Sequence, residues 1–217
     1  MIPVLIIPIL NRYDLLDQNL KTIDYPIGEI LIINNGKETY TPPTTDLNVR
    51  VLNLPSNLGM SGSWNLGIKL YPHEKYWMIS SADTHWIPGS LKKLHEISGP
   101  DNLVMTSEAW SAYTIGENVI RTVGLFDEFF YPIYFEDNDY YERYMRSPLK
   151  DHYISSGIEV NAPHGASQTI KSDEKLMNRN HETFVKNKEY YDGKVREDFT
   201  VNGVWNIDRR RDHEWLR

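Results

Sequence analysis

Residues 131–146 read YPIYFEDNDYYERYMR, which sets Glu136, Asp137, Asp139 and Glu142 among Tyr134, Phe135, Tyr140 and Tyr141. On a helix Asp139 with Arg143 and Glu142 with Arg146 form i,i+4 pairs, each worth about 0.3–0.5 kcal/mol. Asp137 can cap the start of that helix, or Asp139 can form a capping box with Glu142. The pairs account for Asp139 and Glu142. Glu136 and Asp137 are left at the helix mouth beside aromatic rings, where desolvation raises a carboxyl pKa and equips it to accept a proton from an alcohol. Capping and proton abstraction compete for these two residues.

Three further stretches hold candidates. Asp83, in SSADTHW, either caps a turn or serves as a hard ligand for Mg²⁺ or Mn²⁺, with diphosphate oxygens completing the shell. His85 follows two residues on, and a continuing strand would point both side chains the same way. His164, in APHGAS, is a loop residue or a neutral imidazole on the same cation. In NLGMSGSWNLG no lysine stands where a phosphate loop needs one. Gly59 and Gly62 there either lead the chain into a helix or let a nucleotide approach, with Asn57 and Asn65 as its polar contacts.

The elements that must position these residues are legible as apolar runs. VLIIPIL (4–10), EILIINNG (29–36), VRVLNL (49–54), KYWMISSAD (75–83) and NLVMTS (102–107) read as strands buried on both faces. YDLLDQNLKTI, MSGSWNLGIKLY and PGSLKKLHEI between them have helical spacing. Alternation of this kind predicts a mostly parallel α/β sheet whose ligands sit beyond the carboxyl ends of the strands. PILNR (8–12), NNG (34–36), NLPSNLGMSGSWN (53–65) and SSADTHW (80–86) all follow such ends, so they can line one cleft.

After Ser107 the pattern loosens. VGLFDEFFYP is a connection, residues 137–145 a helix, HYISSGIEVNAPHGAS a short strand pair running into a loop, and SDEKLMNRNHETFVKNKEYY a surface helix capped by Ser172 or Asp173. The expectation is one domain over residues 1–194 and a tail over 195–217 that covers the acceptor side or makes an oligomer contact such as a homodimer.

With 217 residues, 40% of them hydrophobic, the chain can bury a core. Its 23 basic and 30 acidic residues give a net charge of −7, which argues against a nucleic-acid polymer or an anionic membrane as partner. Absence of cysteine excludes disulfides and thiolate chemistry. The opening MIPVLIIPILNRYD is short, prolinated and without leading basic residues, so it predicts a buried strand rather than a signal peptide or membrane span. A cytoplasmic location is expected.

Taken in order, IIPILNR, EILIINNG, NLGMSGSWNLGI, ISSADTHWIPGSL, VGLFDEFFYPIYFEDNDYYER and APHGAS resemble the segments of the family 2 inverting glycosyltransferases, from Pro3 to about Ser167. The resemblance implies a GT-A (Rossmann-like) domain: a mostly parallel sheet flanked by helices. Asp83 is similar to the metal-binding aspartate of the DxD motif, His164 to a histidine that joins the metal, and Asp137, beside Glu136, to the catalytic base. Nucleotide contacts are implied at Pro8, Leu10, Arg12, Asn34, Asn35, Asn57, Met60 and Asn65, with Ser81 and Ala82 in the remainder of the DxD position. Two departures stand out. Ser81 replaces the first DxD acid, and Asn34 stands where an acid usually precedes Asn-Gly.

The activity implied is metal-dependent, inverting transfer from a nucleoside-diphosphate sugar, a UDP-sugar first, to a hydroxyl on a glycan, a lipid-linked sugar or a protein. Tyr131, Tyr134, Phe135, Trp110 and Tyr113 are candidate stacking walls. The alternatives are a non-catalytic nucleotide- or glycan-binding module of the same fold and, ranked lower, a sugar nucleotidyltransferase, for which Arg12 alone offers a triphosphate a cation.

Overall fold

A computed structural model describes residues 1–44, 46–161 and 168–199. The first half alternates strand and helix: β1 (Ile2–Ile9), α1 (Tyr13–Lys21), β2 (Ile27–Asn34), β3 (Val49–Asn53), α2 (Gly59–Leu70), β4 (Tyr76–Ser80), β5 (His85–Trp86) and α3 (Ser90–Ile97). Then follow β6 (Leu103–Thr106), β7 (Ala109–Gly116), α4 (Glu117–Val123), α5 (Glu136–Met145), β8 (Tyr153–Ser155), β9 (Val160–Asn161), α6 (Gln168–Lys171) and α7 (Glu174–Arg196).

Seven strands make one sheet in the order β3-β2-β1-β4-β7-β6-β8. The first four are parallel, as their apolar runs and helical crossovers require, and β7 enters antiparallel between β4 and β6. Side chains alternate across the strands, so each face builds its own core. One face gathers Val4, Ile6, Leu31 and Ile33 with Trp64 and Ile68 of α2 and Tyr140 and Tyr144 of α5. The other gathers Leu5, Ile7, Ile30 and Ile32 with Leu16 and Leu20 of α1 and Leu91 and Leu94 of α3. The fold is a helix–sheet–helix sandwich.

Three features depart from the sequence reading. Strand β7 and helix α4 occupy a stretch that showed no pattern. The expected strand pair after residue 152 does not pair with itself: β8 adds parallel to β6, while β9 pairs antiparallel with β5. The chain leaves the large sheet at Ser156, whose hydroxyl donates to the Met105 carbonyl and whose successor Gly157 has φ 63°. Finally, α7 is no mere surface helix, since its Asn187 and Lys194 are buried. Asp173 caps it as expected, accepting from the amides of Lys175 (2.9 Å) and Leu176 (3.0 Å).

Candidate active site

Register brings the parallel strands to an even finish, since Ile9 stands opposite Asn34 and Asn34 opposite Asn53. Just beyond, at the point where β2 and β4 diverge to either side of β1, lies a cleft of about 580 Å³. Pro8, Leu10 and Arg12 line it after β1, Asn35 after β2, Asn57 and Met60 at the start of α2, and Ser81, Ala82 and Asp83 after β4. The opposite wall is residues 132–138, which include Glu136 and Asp137, backed by Leu176 and Phe184 of α7. Carboxylates far apart in sequence, Asp83 and Asp137, thus share one cavity.

The strand-end wall is tied together by amides. Asn35 Oδ1 accepts from Leu58 N (2.8 Å), and its Nδ2 donates to Ser63 Oγ (2.9 Å), fastening the end of β2 to α2. Asn57 Oδ1 accepts from Gly59 N (2.8 Å). Gly59 sits at φ 72°, where a Cβ would lie 2.8 Å from the Pro132 carbonyl, so only glycine lets the two walls meet. Met60 N closes that meeting with a 2.9 Å bond to the same carbonyl.

Two expected nucleotide contacts are not in the cleft. Asn34 is buried: its Oδ1 accepts from Tyr13 and Gly36, and its Nδ2 donates to Glu38 O and Asn53 Oδ1. Asn65 is buried as well, bonded to Phe126 N, Phe126 O and Glu128. The Asn34 amide is saturated from within and that of Asn65 makes three of its four bonds there, so both serve the fold. Of the aromatic candidates, Tyr134 and Phe135 line the cleft, whereas Tyr113 is fully buried and Trp110 packs on Tyr113, Phe126 and Tyr140 in the core. Tyr131 is exposed and lies outside the lining.

Asp83 stands in a turn, not on a continuing strand. Ser81 N donates to Ser111 O (2.7 Å), Thr84 N to Ser81 O (3.3 Å), and Asn19 of α1 also donates to Ser81 O (3.0 Å). The turn aims Asp83 into the cleft and carries His85 away into β5, opposite Asn161, so the strand geometry expected for His85 does not hold. Ser111 and Asn19 are positioning residues that sequence reasoning missed, one on the unrecognised β7 and the other inside an ordinary amphipathic helix. Arg12, at φ 57° before α1, holds Asp14 through two bonds (2.9 and 2.8 Å). Its pKa is raised, chiefly by Asp14 and further by the charge of Asp83.

The carboxylate wall is strained. Tyr134 and Phe135 take φ 86° and 71°, conformations costing about 1–3 kcal/mol each outside glycine. They turn the chain abruptly into α5, whose first two residues are Glu136 and Asp137. Glu136 is 4% exposed and, among the described residues, its Oε2 has no hydrogen-bond partner. Burial, then the neighbouring charge of Asp137, pushes its pKa up to about 8. The positive end of a helix ordinarily favours an ionised acid, but here desolvation wins. Burial also raises Asp137, opposed by backbone hydrogen bonds, one from Asn138 N to Oδ1 at 2.8 Å.

The i,i+4 pairs expected on α5 both form, but Asp139–Arg143 is no surface pair. Arg143 Nε donates to Asp139 (2.8 Å), and its other nitrogens donate to the carbonyls of Val123 and Leu125. Lys194 of α7 lies 2.5 Å from Asp139 Oδ1 and 2.7 Å from Asp127 Oδ2, which also accepts from Tyr190 (2.9 Å). Two acids and two bases balance, all buried.

Among the described residues no group of three or more His, Asp or Glu is placed to hold a metal ion by itself. Acidic Asp83, Glu108, Glu136 and Asp137 nevertheless line the cleft against one guanidinium that already holds Asp14. A diphosphate entering such a field needs a counter-charge. Asp83 suits a hard divalent ion held by one protein carboxylate and completed by substrate oxygens. His164 lies outside the described residues.

The sequence matches the profile of Glycosyl transferase family 2 over residues 4–176. No curated protein matches it. Among solved structures, the mannosyltransferase PcManGT from Pyrobaculum calidifontis, in complex with GDP-Man and Mn²⁺, is similar at 14% identity and TM-score 0.52, over 71% of this chain and 54% of that one. S. aureus TarS 1-349 in complex with UDP is similar at 12% identity and TM-score 0.53, over 74% of this chain and 60% of that one. At these identities the likeness is one of fold. The chain spans little more than half the length of the structures it matches.

Proposed function

The chain belongs to glycosyl transferase family 2 and has its GT-A fold, and from that premise we propose that it moves one sugar from a nucleoside-diphosphate donor to an acceptor hydroxyl with inversion. The observation that carries this reading is the convergence of Asp83 and Asp137 on one cleft at the carboxyl edge of the sheet. The donor lies along the strand-end wall, with its base toward Pro8, Leu10 and Asn35 and its diphosphate toward Arg12 and Asp83. A UDP-sugar is the first choice. Nucleotide complexes of the similar structures, with GDP-Man and Mn²⁺ in one and UDP in the other, support that class of donor.

Asp137 takes the acceptor's hydroxyl proton as the oxygen bonds to the anomeric carbon. The bond from that carbon to the diphosphate breaks on the opposite face, and the electron pair leaves with the diphosphate. Raised by burial, Asp137 is a stronger base than an exposed carboxylate. Glu136, titrating near 8, is protonated at neutral pH and acts as a hydrogen-bond donor to the sugar. A divalent cation on Asp83, Mn²⁺ or Mg²⁺, would offset charge on the leaving diphosphate.

Asp137→Asn is expected to lower kcat about 100-fold or more while leaving the Kd for donor nucleotide within about two-fold. Equal loss of donor affinity and turnover would make Asp137 a structural cap. Ser81 in place of an acid favours a second reading, a module that binds nucleotide without turning it over. Release of nucleoside diphosphate from the donor with Mn²⁺, stopped by EDTA, excludes it.

A further inference from the structure

Helix α7 presents one stripe to the wall that carries the carboxylates. Asn180, Phe184, Asn187, Tyr191 and Lys194 recur at spacings of four and three, one face of a helix. Tyr134 OH donates to Asn180 Oδ1 (2.6 Å), Phe184 packs on Tyr134 and Phe135, and Tyr191 stacks on Phe135 at 5.4 Å. Asn187, 1% exposed, stands at the centre. Its Nδ2 lies 2.8 Å from Ile133 O, 3.3 Å from Tyr134 O and 3.5 Å from Tyr131 O. One amide therefore gathers the carbonyls of the segment whose next step is the pair of left-handed residues ahead of Glu136. From the far side the same segment is held by Met60 N on Pro132 O. Most of α7, Asn187 included, lies beyond the part of the chain that matches the family.

We infer that Asn187 is a positioning residue: by donating to the Ile133 and Tyr134 carbonyls it holds residues 131–135 in the strained path that presents Glu136 and Asp137 to the cleft. The inference rests on Asp137 as base. The strained backbone persists only while its surroundings over-determine it, and the Asn187 amide bonds the backbone at the strained step itself. An Asn→Asp change keeps the shape but turns a donor toward carbonyl oxygens into an acceptor that repels them.

The test compares Asn187→Asp and Asn187→Leu with Tyr190→Phe, which loses a bond from the same helix to Asp127 but none to the segment. At saturating acceptor, both Asn187 variants are expected to lose kcat about 10-fold or more with the donor KM within about two-fold, as a misplaced group does. Amide hydrogen exchange across residues 131–139 should speed up in Asn187→Leu while that of β1 and β4 stays slow. Unchanged exchange there overturns the inference whatever the turnover. So does an equal fall in kcat for Tyr190→Phe at matched loss of Tm, which would reduce Asn187 to general support of α7. Asp137→Asn is run alongside. If it abolishes transfer while the Asn187 variants work normally, the positioning role alone falls. If it retains transfer, the base assignment falls and the inference with it.

Discussion

Glu136 and Asp137 are neighbours in the chain but differ in surroundings: Glu136 is almost wholly enclosed with an unbonded oxygen, whereas Asp137 is partly open and takes the Asn138 amide. The Glu136 carboxyl titrates near 8 in the folded chain against an ordinary 4.5. Between those values the folded state keeps a proton that the unfolded state releases, so stability falls as pH rises through that window and the penalty is complete above about 8. Glu136→Gln should therefore unfold at higher temperature than the parent at pH 9, with the difference vanishing toward pH 4.5 in a calorimetric series. In turnover the same change should remove an alkaline limb near pH 8 while preserving the acid limb set by Asp137. Sequence reasoning named both carboxyls and Asp83 because residue type and flanking aromatics are visible in one dimension. It also named Asn34 and Asn65, which lie off the cleft lining: an amide's usefulness to a ligand depends on whether its hydrogen bonds are already taken, and Tyr13, Asn53, Phe126 and Glu128 engage them from distant parts of the chain.

Helix α7 shows the same limit one level up. Its composition is that of a solvated helix, and nothing in the spacing of Asn187 and Lys194 marks them as buried. The apolar runs of β1, β2, β4 and β6 were legible, because strands covered on both faces must be apolar throughout; β3 forms where expected but stands at the sheet edge with Arg50 and Asn53 exposed, not buried on both faces. Strand β7 was not, since its sequence AWSAYTIG mixes Ser111 and Thr114 with aromatics and gives no clean alternation. The ionic cluster makes α7 indispensable to α5. Lys194→Met would leave Asp139 on Arg143 and Asp127 enclosed on the Tyr190 hydroxyl and the Phe129 amide, and should cost about 3–5 kcal/mol, measured by urea unfolding. A loss below about 1 kcal/mol would mean that the pair relaxes to reach water.

For the whole molecule, the chain's net charge of −7 and the acids in the cleft would oppose the diphosphate of the proposed donor unless a cation accompanies it. Donor and cation should bind as a unit. A nucleotide sugar at 100 times its Kd stabilises by about 2.7 kcal/mol, which for a chain of this size raises Tm by about 5–10 °C. Differential scanning fluorimetry should show that rise with UDP-sugar plus Mn²⁺ and its loss with EDTA or in Asp83→Asn. A mostly parallel sheet with a cleft at its carboxyl edge was predictable from strand–helix alternation, because parallel strands joined by crossovers place their following loops on one side; the strand order, with β7 antiparallel between β4 and β6, was not.

Lys194 has a consequence for the life of the chain on the ribosome. Asp127 and Asp139 are made well before the lysine that neutralises them, and until it emerges closing α5 would enclose both acids with the Arg143 pair to Asp139 alone in place. Closure of α5 onto that corner, and with it of the wall that carries Glu136 and Asp137, is therefore expected to wait until translation has passed α7.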